Sequence, residues 1–268
     1  MRIGSQKIYH LDYHWDWQEV GQGFVDLVLS DPPYGSQVRK YPSDEKPDFS
    51  YLAWIFNQHL SPTGAIALIH SPRLTTEIEI DFRKYFRPTF REYWHKPSAM
   101  SKIKDRPKPD IDVVTVFHRR GSSVDSHIFN WETIAEVKEP FVRRNRNLKN
   151  TTMTTPKREI DVNVDGKRYP SSLIRVANRP SMTKAEKAGI THPFQKSLAA
   201  VRRLVLLLSN PGDLVLDPYL GSGTTMIAAE RTGRRGVGYE IDESNYLEAE
   251  ARLTKEVYGV QPVGLTKD

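Results

Sequence analysis

Residues 214–225, Leu-Val-Leu-Asp-Pro-Tyr-Leu-Gly-Ser-Gly-Thr-Thr, constrain this chain more than any other stretch. The apolar run ending in a carboxylate reads as a buried strand. The glycines read as a tight turn, and 224–231 as the helix that follows. Strand, turn and helix in that order open a βα unit. Such units build mostly parallel sheets covered by helices on both faces, and ligands bind beyond the carboxyl ends of their strands.

The same alternation runs through the chain. Apolar runs predict strands over 25–30, 65–69, 90–95, 113–118, 214–216 and 236–239. Helical spacing appears over 49–60 (Leu52, Ile55, Phe56, Leu60), 73–85, 195–209 (Leu198, Val201, Arg202, Val205) and 243–258. Ser61-Pro62-Thr63-Gly64 reads as a turn, and 36–48 and 96–110 read as polar, proline-bearing loops. Residues 119–190 are polar and basic with weak periodicity, and 160–168 alternates into Asp165-Gly166, predicting a small hairpin. Three regions result: 1–118, an insertion over 119–190, and 191–268.

The glycine turn is selective about its ligand. Gly221 and Gly223 let backbone approach a ligand where a side chain would block it. Asp217 ends the strand, placed to accept from amino or hydroxyl groups. Glu240, nineteen residues past Gly221, ends the next strand where a ribose diol would be gripped. The third glycine of a dinucleotide fingerprint and the lysine of a triphosphate loop are both absent, so a nucleoside-type cofactor fits best.

Asp31-Pro32-Pro33-Tyr34 also follows a buried strand. Alone it is a proline turn with a packing aromatic. Beside a cofactor turn it has a chemistry. The lone pair of a base's exocyclic amino group is delocalised into the ring, which makes the nitrogen a poor nucleophile. A carboxylate accepting one N–H and a backbone carbonyl accepting the other favour a pyramidal nitrogen and free that pair. Asp31 supplies the first acceptor and the Pro32 carbonyl, stiffened by Pro33, the second. Tyr34 offers a face to a base that has left the duplex stack.

Charge adds a partner. Residues 141–190 carry twelve Lys and Arg against four Asp and Glu, a net of +8 within a chain whose total is +6. This is either a solvated surface or a footprint for a polyanion. Arg143, Arg144, Arg146, Lys149, Lys157, Arg158, Lys167 and Arg168 are the candidates for phosphate contacts, and Asn145, Asn147 and Asn150 for reading base edges. There is no cysteine, so no disulfide framework or thiolate metal site. His10 and His14 lack a third ligand nearby, and no metal is expected. The longest apolar run, 204–208, is too short for a membrane span, and a cytoplasmic location is the expectation.

Together these residues resemble the β group of amino DNA methyltransferases, which methylate adenine N6 or cytosine N4 using S-adenosylmethionine. Asp31-Pro32-Pro33-Tyr34 is similar to their catalytic motif. Asp217-Pro218-Tyr219-Leu220-Gly221-Ser222-Gly223-Thr224-Thr225 is similar to their cofactor motif, with Tyr219 where Phe is usual. His192-Pro193-Phe194-Gln195-Lys196-Ser197 resembles the motif that helps hold the methionine end, with Phe194 and Ser197 departing from the usual Thr and Pro. Gly238-Tyr239-Glu240 resembles the ribose segment.

The resemblance implies a Rossmann-like methyltransferase fold with circularly permuted motif order and a target recognition region over 119–190. It implies double-stranded DNA as partner, and allows a second copy of the chain or a separate restriction endonuclease beside it. Asp rather than Ser at 31 leans toward adenine. Cytosine N4, an RNA or protein substrate, and a non-catalytic nucleic-acid binder are the rival readings. Tyr93-Trp94-His95-Lys96-Pro97 closes a strand and is a further candidate for lining a base pocket.

Overall fold

The apolar run at 25–30 is the centre of the molecule. Val25, Leu27, Val28 and Leu29 are all fully buried, with Val28 packed into the core on one side of the sheet and Leu27 and Leu29 into that on the other. Only a strand with helices on both sides buries alternate residues in this way. The computed structural model describes residues 1–12, 20, 23–35, 45–96, 107–139, 141–143, 161–163, 165–175 and 195–259.

In chain order the elements are β1 (Arg2–Ile3), β2 (Gln6–His10), β3 (Val25–Ser30), α1 (Phe49–His59), β4 (Leu60–His70), α2 (Thr75–Phe82), β5 (Phe86–His95), β6 (Ile111–Arg119), β7 (Glu136–Val137), β8 (Phe141–Arg143), β9 (Asp161–Asn163), β10 (Lys167–Arg168) and β11 (Leu173–Ile174). There follow α3 (Leu198–Leu208), β12 (Leu214–Asp217), α4 (Thr224–Arg231), β13 (Arg235–Glu240) and α5 (Glu243–Tyr258). The main sheet has the order β1-β2-β13-β12-β3-β4-β6-β5-β11. Its centre, β2 through β4, is parallel, while β6 runs antiparallel to both β4 and β5.

The helices divide by face. Phe49, Leu52 and Phe56 of α1 and Ile78 and Phe82 of α2 fill one side. Val201, Leu204, Val205 and Leu208 of α3 with Ala228 and Ala229 of α4 fill the other. Arg202, read from spacing as part of the α3 stripe, is exposed. Asp48 caps α1 by accepting from the backbone N–H of Ser50 and Tyr51, which sets where that helix begins.

Three expectations are corrected. The stretch 61–64 is no turn between elements but an irregularity within β4: Val25 pairs Leu60 while Leu27 pairs Ala65, so the extra residues bulge out. The helix expected over 73–85 is α2 preceded by a 3₁₀ turn at Pro72–Leu74, and Phe86 already belongs to β5. Among the described residues of 160–168 the expected hairpin pairing is not made: β9 pairs β8 and β10 pairs β7. Parts of the stretch 119–190 join the main body. β11 extends the main sheet beside β5, and the turn at Trp131–Ile134 packs on the α3 side of the core.

Candidate active site

β3 and β12 are parallel neighbours, with Leu27 opposite Val215 and Val28 opposite Leu216. From β3 the chain proceeds to β4 on one side, and from β12 to β13 on the other. That is a topological switch point, and the carboxyl ends of two adjacent strands open into one crevice there. Asp31 and Asp217, far apart in sequence, are thereby brought together. The Ser30 hydroxyl donates to Asp217 Oδ1 at 2.7 Å and joins the two motifs directly.

The loop after β3 is held at several points. Pro32 is buried. Tyr34 donates its hydroxyl to Asp31 Oδ1 at 2.7 Å, and Arg73 donates to the Tyr34 carbonyl at 2.5 Å. Gly35 adopts a φ of 61°, and a Cβ there would meet the Lys46 Cβ at 3.0 Å. Burial, and after it the Asp31 charge, push the Tyr34 hydroxyl well above its ordinary range, so it stays a donor.

The turn after β12 has its own arrangement. Asp217 Oδ1 also accepts the Tyr219 backbone N–H at 3.1 Å. Burial pushes the Asp217 carboxyl up to about 6, against the hydrogen bonds from Thr225, Ser30 and Tyr219. Pro218, Ser222 and Thr224 are buried around it. Glu240 accepts the Gly221 N–H on Oε2 at 2.7 Å and the Asp242 N–H on Oε1 at 2.9 Å, which aims its carboxylate across the turn. Burial holds Glu240 above the usual carboxylate range.

The two glycines differ in purpose. Gly221 makes the turn, with φ 53°. Gly223, at φ 81°, faces the protein: a Cβ there would lie 3.0 Å from that of Ala249 on α5. Its backbone conformation and its packing against α5 both call for glycine.

These residues fit S-adenosylmethionine. The Glu240 carboxylate, which also takes a hydrogen bond from the Asn245 side chain, keeps acceptor capacity that suits a ribose hydroxyl. Gln195 is 5% exposed, and among the described residues neither its Nε2 nor its Oε1 has a hydrogen-bond partner. A buried amide without partners is costly and points to a polar ligand. His192 lies outside the described residues.

Lys196, expected beside the methionine end of the cofactor, reaches the loop after β3. Its Nζ lies 2.9 Å from Asp31 Oδ2, 3.5 Å from the Tyr34 hydroxyl and 3.7 Å from Asp112 Oδ2. Lys96 joins the group, donating to Asp112 Oδ1 at 2.5 Å. Sequence reasoning passed over Asp112, since a lone acid at the start of a strand carries no motif. His10, weighed from the sequence only as a metal ligand, ends β2 opposite Glu240 and stacks on Tyr246 with ring centres 5.4 Å apart. Of the proposed base-pocket residues, Trp94 is fully buried core.

The phosphate candidates are mostly out of view. Arg144, Arg146, Lys149, Lys157 and Arg158 and the three asparagines lie outside the described residues, as does the side chain of Arg143. Lys167 pairs with Glu132 at 2.7 Å, and Arg168 donates to the Glu139 carbonyl at 2.9 Å. Among the described residues, no cluster suits a metal ion, and no helix is long and apolar enough to cross a membrane.

A family model described as DNA methylase matches residues 25–251. The chain is 27% identical over 256 residues to the DNA adenine methyltransferase YhdJ of Escherichia coli (strain K12), covering 92% of this chain and 82% of that one. It shares its fold with the M1.HpyAVI–SAM complex at a TM-score of 0.59 and 21% identity, covering 92% of this chain and 99% of that one. It also superposes on the cytosine-N4-specific PvuII DNA methyltransferase at a TM-score of 0.62 and 17% identity, covering 97% and 88%.

Proposed function

The chain belongs to the DNA methylase family, enzymes that methylate exocyclic amino groups of DNA with S-adenosylmethionine as cofactor, and from that premise we propose that its target is N6 of adenine in double-stranded DNA. The observation that carries the reading is the Asp31 carboxylate at the end of β3, one residue from the Ser30 hydroxyl that bonds Asp217. The acceptor for an amino group thus adjoins the cofactor turn.

In this mechanism Asp31 accepts one amino N–H and the Pro32 carbonyl the other, which frees the nitrogen lone pair. Tyr34 stacks on the base once it has left the duplex. When bound, S-adenosylmethionine supplies a methyl group already activated on a sulfonium, so positioning and electrostatics dominate. Glu240 holds the ribose, Asp217 an amino or hydroxyl group, and Gln195 with His192 the methionine end. Asp31 is the first acceptor for the proton that the nitrogen loses. The basic segment, with Arg143, Arg144, Arg146, Lys149, Lys157 and Arg158, contacts the phosphates and positions the duplex.

Adenine is favoured by the Asp that leads the tetrad and by the likeness to YhdJ, a named adenine methyltransferase. The test is transfer of label from methyl-labelled cofactor to duplex DNA, RNA or protein. Wild type is expected to label duplex DNA, and Asp31→Ala to lose at least about 1000-fold in rate while still binding cofactor, the scale on which removing a key electrostatic group acts. Undiminished transfer by Asp31→Ala, or labelling of RNA or protein alone, would overturn the proposal.

A further inference from the structure

Asp112 lies in no motif, yet it faces the catalytic loop. β6 runs antiparallel to β4, with Val113 opposite His70, so β6 begins at the end of the sheet where β3 and β4 finish. β5 finishes there too, with Trp94 opposite Asp112. Lys96 from beyond β5 and Lys196 from just before α3 therefore converge on the Asp112 carboxylate, whose side chain is 4% exposed. Lys196 sits between two acids, 2.9 Å from Asp31 and 3.7 Å from Asp112, with its Nζ 5.4 Å from the centre of the Tyr34 ring. Two acids and two lysines make a balanced, partly buried group, and geometry rather than net charge decides where each proton sits.

We propose that Lys196, strung between Asp31 and Asp112, is a positioning residue for methyl transfer: it keeps the Asp31 carboxylate ionised and turned toward the target amino group, and Asp112 limits how fully it commits to Asp31. The inference deepens the reading of Asp31 as the amino acceptor and rests on it.

The need for such a residue is physical. A protonated Asp31 would present an O–H where the mechanism requires an acceptor. Burial drives Asp31 toward that neutral form, the Lys196 charge and hydrogen bond oppose it, and the Asp112 charge adds to it. Tyr34 donates to Asp31 from its own loop, and Asp217 faces it from β12. Burial also works against the Lys196 ammonium, but Asp31 and Asp112 together hold it above its ordinary range. Removing the lysine and removing Asp112 should therefore act on Asp31 in opposite directions.

The experiment is the pH profile of kcat on DNA from a methylation-free host, at saturating cofactor and DNA, with cofactor Kd measured separately by calorimetry. Lys196→Met is expected to move the acid limb up by about one unit or more, the size of shift a close charge produces. Lys196→Arg should bring the limb back toward wild type, and Asp112→Asn should move it to lower pH. Limbs that stay at the wild-type position in both Lys196→Met and Asp112→Asn overturn the proposal, even if Lys196→Met weakens cofactor binding. If Lys196→Met fails to fold by circular dichroism, Asp112→Asn decides alone by the direction of its shift. Asp31→Ala separates the two readings: activity retained there refutes the acceptor role itself, whereas a dead Asp31→Ala with unmoved limbs refutes only the positioning.

Discussion

Asp217 holds its carboxyl at a depth where ionisation is disfavoured, with its pKa up to about 6. The folded state binds that proton more tightly than the unfolded chain does, so this group's contribution to stability rises as pH falls through about 6 toward 4. At pH 7.5 the ionised Asp217 costs on the order of 3 kcal/mol, from a shift of about two units. Asp217→Asn should raise the cofactor-free melting temperature at pH 7.5 by about 5 °C or more and leave it nearly unchanged at pH 4. Cofactor affinity should fall in the same variant. Differential scanning calorimetry at the two pH values measures the first effect. Asp31, Asp217 and Glu240 were legible because each ends an apolar run and is followed by turn residues. Asp112 was not, because its significance comes from Lys196 and Lys96, which reach it only once β5, β6 and the approach to α3 are folded together.

At the level of elements, the turn between β12 and α4 is where sequence and packing meet most closely. Gly223 combines a φ of 81° with contact against Ala249. Gly223→Ala should destabilise the protein by about 2–4 kcal/mol, from left-handed strain plus the displacement of α5. Chemical denaturation would measure it, and a loss below about 0.5 kcal/mol would show that the helix yields easily. The long regular elements were legible: α4 and α5 coincide with their apolar spacing, as does β3. The shorter ones were not. β1 and β2 escaped because Gln6–His10 alternates buried and partly exposed residues too briefly to stand out, while its parallel pairing with β13 is a long-range contact. The alternation over 160–168 was real, but each half found a different partner strand, a choice that local pattern does not encode.

For the whole molecule, the placement of β3 beside β12 brings the proposed catalytic loop, which comes first in the chain, against the proposed cofactor turn, which comes last. That motif order was visible in the sequence, and the sheet order gives its physical reason. The basic segment lies between the two halves, and its proposed contact with DNA makes binding salt-dependent. Replacing Arg143, Arg144 and Arg146 by Ala should weaken DNA binding on all sequences and flatten the dependence of log K on log salt by up to about three. Fluorescence anisotropy over a salt series measures that slope, and an unchanged slope would remove these residues from the interface. The central claim is amino methylation of adenine at Asp31. The most direct measurement is to incubate unmethylated duplex DNA with the protein and S-adenosylmethionine, digest it to nucleosides and weigh them. N6-methyladenine with wild type, and none with Asp31→Ala, is the predicted result; N4-methylcytosine alone, or N6-methyladenine undiminished in Asp31→Ala, would contradict it.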